Sequence, residues 1–488
     1  MDRFWQGDTP TEPMPIIDRL RHTPYRMVVA RAEAARAEAE QHAVEEKSAA
    51  EAMDLALRIG ELMLRCGAAA AKVETSIVAL GASAGLQRLD VDITLQSLLM
   101  QCVLSDGTTI TRLRVVQSSR QDFARLDAIH RLVDEVATEG WDPASVRKRL
   151  RVIQTHRRNY PDWMVLVSTG IFAAAVTFML GAGLLATFIT MLSGMAVHRT
   201  TRFFGDHGYP EFYQNAFGAF LATLIAWLVY VVGVQTPVPL SGADFAYMVA
   251  GGIVVLLPGR ATAAAVEDVI SGYQVTGAGR ILAVFLNTAG LTIGVGAALS
   301  VTFAAVGWLD GRFVSPEILD LRSFASPTVP AVVGAFFLGT FASVTLQSRR
   351  RLLVPIGLLC VLAVLISRVL TDVAGLGITI ASGAAAVVLG VLGRLLASRL
   401  GSLPMTIIIP ASFGLLPGLA IFRGLYEMAA SHPSLAELSV QSGITTLLGA
   451  FATLLAIATG TMLGEIAVGP AGHRLSRARW DKRRRRQG

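Results

Sequence analysis

The chain has 488 residues, of which 53% are hydrophobic and only 16% charged, too apolar for an ordinary soluble protein. Its net charge of +7 gathers at the ends of apolar runs and in the tail Arg474 to Arg486, the pattern of a membrane face rather than of a nucleic-acid groove. Three scattered cysteines, Cys66, Cys102 and Cys360, and eight histidines without metal spacing exclude a disulfide framework and a zinc centre, so neither metal nor cofactor is expected.

In chain order, residues 1–50 read as an N-terminal extension, disordered to about Met27 and then helical through an Ala-, Glu- and Arg-rich stretch. No signal peptide opens it, which predicts that the following polar segment stays in the cytoplasm. Residues 51–160 are expected to fold as a small α+β domain. Met53, Ala56, Leu57 and Leu64 fall at helical spacing up to Gly67, and a second helix spans about 70–84. Leu89, Val91, Ile93 and Leu95 then alternate with Asp90, Asp92, Thr94 and Gln96, which is strand patterning. A second strand, the turn Ser105-Asp106-Gly107 and a third strand follow, and helices are expected over about 122–138 and 143–157.

From residue 161 onward the chain becomes a succession of apolar runs. Ten spans are predicted, at roughly 163–180, 183–198, 214–235, 244–258, 279–306, 329–347, 353–371, 374–397, 403–418 and 440–468. The first five make one membrane unit (161–308), the second five another (325–470), and residues 471–488 form a basic tail. Loops on one side hold Arg199, Arg202, Arg260, Arg280, Arg349, Arg350, Arg351, Arg394 and Arg399, and those on the other only Arg312, Arg322, Arg368 and Arg423. That asymmetry predicts both termini in the cytoplasm and an even number of spans.

One tetrapeptide occurs twice: Leu256-Leu257-Pro258-Gly259 and Leu415-Leu416-Pro417-Gly418, each closing an apolar run. Proline removes a donor and clashes with the preceding turn, so each copy breaks its helix. The copies are 159 residues apart, an offset that places Asp268 on Glu427. With five spans per half the two halves enter the bilayer in opposite senses. Broken helices at matching places in inverted repeats mark the substrate site of a secondary transporter. The fold class expected is therefore mainly α: a polytopic helical membrane protein of about ten transmembrane helices in two inverted five-helix repeats, behind a small α+β cytoplasmic domain.

The candidate path residues are Pro258, Gly259, Glu267, Asp268, Asn287, Pro417, Gly418, Arg423, Tyr426 and Glu427. An α-amino acid needs acceptors for its ammonium, which Glu267, Asp268 or Glu427 suit. It also needs donors for its carboxylate, which Arg423 or freed backbone amides suit. Glu465, inside the last apolar run, is the candidate proton-coupling carboxylate. Asp92 and Thr94 are candidates for a small-molecule site on the soluble domain, against the plainer reading of a solvated sheet face. Gly290 with Gly294, and Gly460 with Gly464, have the GxxxG spacing of close helix packing. No phosphate-binding loop of an ATPase and no nucleophile–base pair of a hydrolase occurs, so ion-gradient coupling is expected and an enzyme is not.

Three strings carry a family resemblance: Leu57-Arg58-Ile59-Gly60-Glu61-Leu62-Met63-Leu64, Val91-Asp92-Ile93-Thr94-Leu95, and Pro417-Gly418-Leu419-Ala420-Ile421-Phe422-Arg423-Gly424-Leu425-Tyr426. Together they resemble the bacterial threonine/serine exporter family over about residues 50–470. The resemblance implies a cytoplasmic N-terminal domain, about ten spans, and export of threonine and serine driven by the proton motive force. It implies small-molecule amino acids, protons and the lipid bilayer of the inner membrane as partners, with no nucleic acid and with a homo-oligomer left open. Relatives split into two polypeptides are associated with dicarboxylate export, so succinate is the alternative cargo. A membrane-anchored hydrolase and a passive channel are the rivals from other classes.

Overall fold

The structure is a computed structural model and describes residues 24–116, 122–235, 240, 242–308, 328–429 and 440–487. The expected disorder of residues 1–27 falls largely outside these, as do Arg312 and Arg322. The chain is mainly helical. It opens with α1 (Pro24–Arg65), one continuous helix where the sequence predicted a helical extension to about residue 50 and then a separate helix in the next domain. The Lys47-Ser48-Ala49-Ala50 joint contains neither glycine nor proline, so nothing there stops propagation.

α2 (Ala70–Ser83) precedes the strands β1 (Leu89–Thr94), β2 (Ser97–Val103) and β3 (Thr109–Val115), which form an antiparallel sheet in the order β1-β2-β3. In register Ile93 faces Leu98 and Val91 faces Met100. The period-two pattern does what it should: Ile93, Leu98, Met100 and Cys102 are buried, while Asp90, Asp92 and Thr94 stay exposed. Gly107 takes φ +85 to turn the chain between β2 and β3. α3 (Phe123–Glu139) begins at Asp122, whose carboxylate accepts the Arg125 amide at 2.9 Å, and α4 (Pro143–Thr155) begins at Asp142 with proline at its first position.

The apolar part comprises α5 (Asp162–Met179), α6 (Leu184–Asp206), α7 (Glu211–Gln235), α8 (Gly242–Val254), α9 (Gly259–Ile270) and α10 (Gln274–Trp308). These are followed by α11 (Thr328–Thr345), α12 (Leu353–Asp372), α13 (Ile378–Leu400), α14 (Met405–Ser412), α15 (Gly418–Ala429) and α16 (Val440–Gln487). Among the described residues seven helices are long and apolar enough to cross a membrane, or eight when the pair 405–415 and 418–424, bent by 49°, counts as one broken span. The expected second and fourth spans are not among them. The last part of α6, His198 to Asp206, carries Arg199, Arg202 and Asp206, and α8 has only 13 residues.

Packing follows a repeated plan. α5 lies on α6 and α11 on α12; α10 lies along α7 and α16 along α13; α5 meets α11. Small residues allow the closest of these approaches. A Cβ at Gly294 would overlap the Ala216 carbonyl oxygen, and one at Gly464 that of Val387, so both GxxxG pairs serve helix packing.

The N-terminal segment docks on one end of this bundle. Its apolar core, built on Met53, Ile59, Met100 and Phe123, runs on without interruption into Leu346, Leu403 and Met405 of the helical part.

Candidate functional site

α8 ends with a tightened last turn, the Leu256 and Leu257 amides donating to the carbonyls of Ile253 and Val254 at 2.9 and 3.2 Å. Pro258 then redirects the chain and α9 starts at Gly259. The second break is built differently. Pro410 sits inside α14, a 3-10 turn follows at Phe413–Leu415, Leu416 is extended, and α15 starts at Gly418. Folding brings the two breaks together. Leu416 packs over Gly259, while Leu257 and Val254 lie in ordinary contact distance of the position a Gly418 side chain would take.

Beside this crossing is a cavity of about 370 Å3. The first break contributes Leu256, Leu257, Pro258 and Ala261, and the second contributes Phe413 and Leu416. Polar groups converge on the same space: Thr169 of α5, His198 of α6, Glu211, Gln214 and Asn215 of α7, and Asn287 of α10. The Asn287 amide donates to a Glu211 carboxylate oxygen at 2.9 Å, and His198 Nε2 is buried without a hydrogen-bond partner among the described residues. Pro258 and Ala261, at the N-terminal end of α9, lie in this lining, and the first amides of a helix have no intrahelical partners. A carboxylate and a set of amide donors on one cavity of mixed polar and apolar lining match the two charged ends of an amino acid.

Of the residues singled out in the sequence, Pro258 and Asn287 line this cavity, and Gly259, Pro417 and Gly418 form the crossing beside it. Glu267 and Asp268 lie at the far end of α9, against the N-terminal segment. Asp268 is fully buried; one oxygen accepts the Ala70 amide of α2 at 2.7 Å and the other pairs with Arg280 at 2.6 Å. Glu465 pairs with Arg394 at 3.8 Å. Glu427 is buried against α16, accepting from Arg423 at 2.6 Å, Ser442 at 3.0 Å and Thr446 at 2.9 Å. The two carboxylates related by the repeat offset are thus both buried beside an arginine, but neither reaches the cavity. The Tyr426 side chain lies outside the described residues. Asp92 accepts from Thr94 at 3.0 Å on the open face of the sheet.

His198, Glu211, Gln214 and Asn215 were not singled out from the sequence. Glu211 had a legible signal, an acidic residue opening an apolar span right after Tyr209-Pro210. Asp127 also went unmarked. It is buried in α3 and accepts the Leu403 amide at 2.9 Å, and burial raises its carboxyl above the usual range. With Thr276, which donates to the Ile93 carbonyl and accepts from the Leu95 amide, these contacts fasten the N-terminal segment to α10 and to the chain just before α14.

A multi-pass helical membrane protein whose two broken helices cross beside a polar cavity belongs to the class of transporters. The chain is a member of the threonine/serine exporter family: one family description, a threonine/serine exporter, matches residues 54–302 and a second, Threonine/Serine exporter, ThrE, matches residues 331–467. It is 28% identical to a probable threonine/serine exporter of Mycobacterium tuberculosis over 86% of this chain and 76% of that protein. It is 27% identical to the threonine/serine exporter of Corynebacterium glutamicum over 85% of this chain and 81% of that one. A probable succinate transporter subunit of Escherichia coli is 24% identical over 52% of this chain and 96% of its own length. No solved structure matches.

Proposed function

We propose that this protein exports small polar amino acids, threonine and serine first, across the cytoplasmic membrane of a bacterium by proton-coupled alternating access. One observation carries the reading: the two Leu-Leu-Pro-Gly breaks cross beside a cavity furnished with Glu211, Asn287 and the amide end of α9. Glu211 takes the substrate ammonium, oriented by its bond from Asn287. The first amides of α9 take the carboxylate. Thr169 and Asn215 on the same lining suit a side-chain hydroxyl.

The finer architecture belongs to the same proposal. Two five-span halves (161–308 and 325–470), inserted in opposite senses, are supported by the matched packing of α5 on α6 with α11 on α12. The reciprocal approach of α9 to α16 and of α15 to α10 supports them as well. Rocking one half against the other moves the crossing point and exposes the cavity to either side in turn. Residues 51–160 act as a cytoplasmic gate. Arg280 of α10, Arg349 of the α11–α12 loop and Arg394 of α13 gather at the end where this segment docks, which supports cytoplasmic termini. Glu465, between Arg394 and the neighbourhood of Glu267, is the proposed proton carrier.

Counterflow of labelled threonine in proteoliposomes, with and without a pH gradient, tests the reading. Threonine-driven exchange that accelerates with the gradient is expected; absence of threonine-dependent flux in both conditions removes it, and flux indifferent to the gradient points to a passive channel. A dicarboxylate brings a second negative charge towards Glu211, which disfavours the succinate reading, and competition by succinate checks this directly.

A further inference from the structure

A second pocket, about 290 Å3, lies apart from the cavity, where the N-terminal segment meets the loop between α11 and α12. Its volume is near the lower end of small-ligand sites, roughly 300 Å3. Four guanidinium groups share its lining: Arg125 and Arg131 of α3, Arg157 just beyond α4, and Arg349 of the α11–α12 loop. Asp122 is the one carboxylate in the lining, leaving a formal surplus of three positive charges. That carboxylate is already engaged, since it caps α3 through the Arg125 amide at 2.9 Å and lies 3.6 Å from the Arg125 guanidinium. Arg125 is further held by donating to the His156 carbonyl at 3.1 Å, and Arg131 by donating to the Asp127 carbonyl at 3.2 Å.

Like charges gathered around a concavity repel one another and focus a positive potential into it. An anion relieves that repulsion, and forked guanidinium donors match the oxygens of phosphate in particular. The position narrows the source. Asn159, also in the lining, is three residues before α5, and Arg349 is four residues beyond the end of α11; both helices are apolar enough to span a membrane. The pocket therefore opens at the level of the lipid headgroups.

We propose that this pocket binds a phosphate group, supplied by the headgroup of an anionic phospholipid. Bound there, the phosphate bridges α3 and the α4 end to the α11–α12 loop and so holds the N-terminal segment against the membrane helices. The test uses the full chain purified in neutral detergent, with native mass spectrometry and thermal unfolding as readouts. Phosphatidylglycerol is expected to stay bound and to raise the melting temperature, where phosphatidylcholine does neither. Replacing Arg157 and Arg349 together by glutamine is expected to weaken phosphatidylglycerol binding by about tenfold or more. Arg147→Gln, an exposed charge outside the pocket, is expected to leave it unchanged. A saturable gain from inorganic phosphate, lost in the double variant and without preference for phosphatidylglycerol, keeps the phosphate site and overturns the lipid source. Anion binding unaltered by the double variant, or no anion effect on wild type, overturns the proposal. If the double variant does not fold, Arg157→Gln alone, at an exposed position, decides between the same outcomes.

Discussion

Leu416 of the second helix break lies directly over Gly259 of the first: a Cβ on Gly259 would meet both Leu416 methyl groups at 3.1 Å. The reverse contact is looser, since a Cβ on Gly418 would lie 3.6 Å from its nearest neighbour, Leu257 Cδ1. The crossing of the two broken helices is thus tight on one side only, and that asymmetry can be tested.

Gly259→Ala is expected to lower the initial rate of threonine counterflow several-fold, because the added methyl jams the point about which the breaks move. Gly418→Ala has room and should transport like the wild type. Leu416→Ala in the Gly259→Ala background removes the obstructing methyls and should restore much of the lost rate. Failure of that rescue would show that the contact is not what limits movement.

Glu211→Gln removes the negative charge from the cavity but keeps the shape and the bond from Asn287 available. Threonine affinity, read by isothermal titration of the detergent-solubilised protein, is expected to fall by roughly tenfold or more, the worth of a charge-assisted hydrogen bond. Succinate should compete better in this variant than in wild type, because the repelling carboxylate is gone.

Asp268 joins α9 to the N-terminal segment through the Ala70 amide and is neutralised by Arg280. Asp268→Ala leaves the partly buried guanidinium of Arg280 without its ion pair and the Ala70 amide without its acceptor. A loss of about 3 kcal/mol is expected, measured as a lower midpoint of thermal unfolding. Arg280→Ala should also destabilise, and the double variant should lose less than the sum of the two. Limited proteolysis should cleave the N-terminal segment faster in Asp268→Ala, since one of its fastenings is gone.

Glu267, half-buried on α9 outside the long apolar helices, has its carboxyl pushed up to about 7. Burial is the main cause; Lys72 of α2 opposes it, Glu465 of α16 and Asp268 add to it, and Arg280 of α10 opposes it. The folded protein therefore holds a proton that an unfolded chain, with an ordinary carboxyl near 4.5, has released. Stability from this group is full below that lower value and is lost as pH rises through about 7. The melting temperature should fall between pH 5 and pH 8 more steeply in wild type than in Glu267→Gln, where the group no longer titrates. Equal slopes in the two proteins would remove Glu267 as a titrating site.

Much of the architecture is legible in the sequence alone. Alternation from Leu89 to Ile93 placed β1 with its apolar face inward, because a strand's side chains point to opposite sides at every step, whereas Leu95 falls beyond the strand, exposed in the turn at φ +54. Apolar runs placed the long helices, and Pro258 and Pro417 placed the breaks, because a missing amide acts on its own turn whatever surrounds it. α6 and α8 were harder, since charge at one end and shortness blur the hydropathy by which spans are recognised.

The candidate site divided along the same line. Local chemistry marked Pro258 and Asn287, which line the cavity, but it equally marked Asp268 and Glu427, which the fold spends on ion pairs. Glu211 carries a sequence signal of its own, but only the meeting of α6, α7 and α10 puts it and His198 on one cavity.

What the sequence determined by itself is whatever depends on neighbours along the chain: helix breaks, strand faces, the offset of the repeat and membership of the exporter family. Only the tertiary structure decided which breaks touch, which carboxylates are neutralised and which polar groups share a cavity. Those outcomes depend on distances between residues tens to hundreds of positions apart, such as the 198 between Ala70 and Asp268, and no local periodicity encodes them.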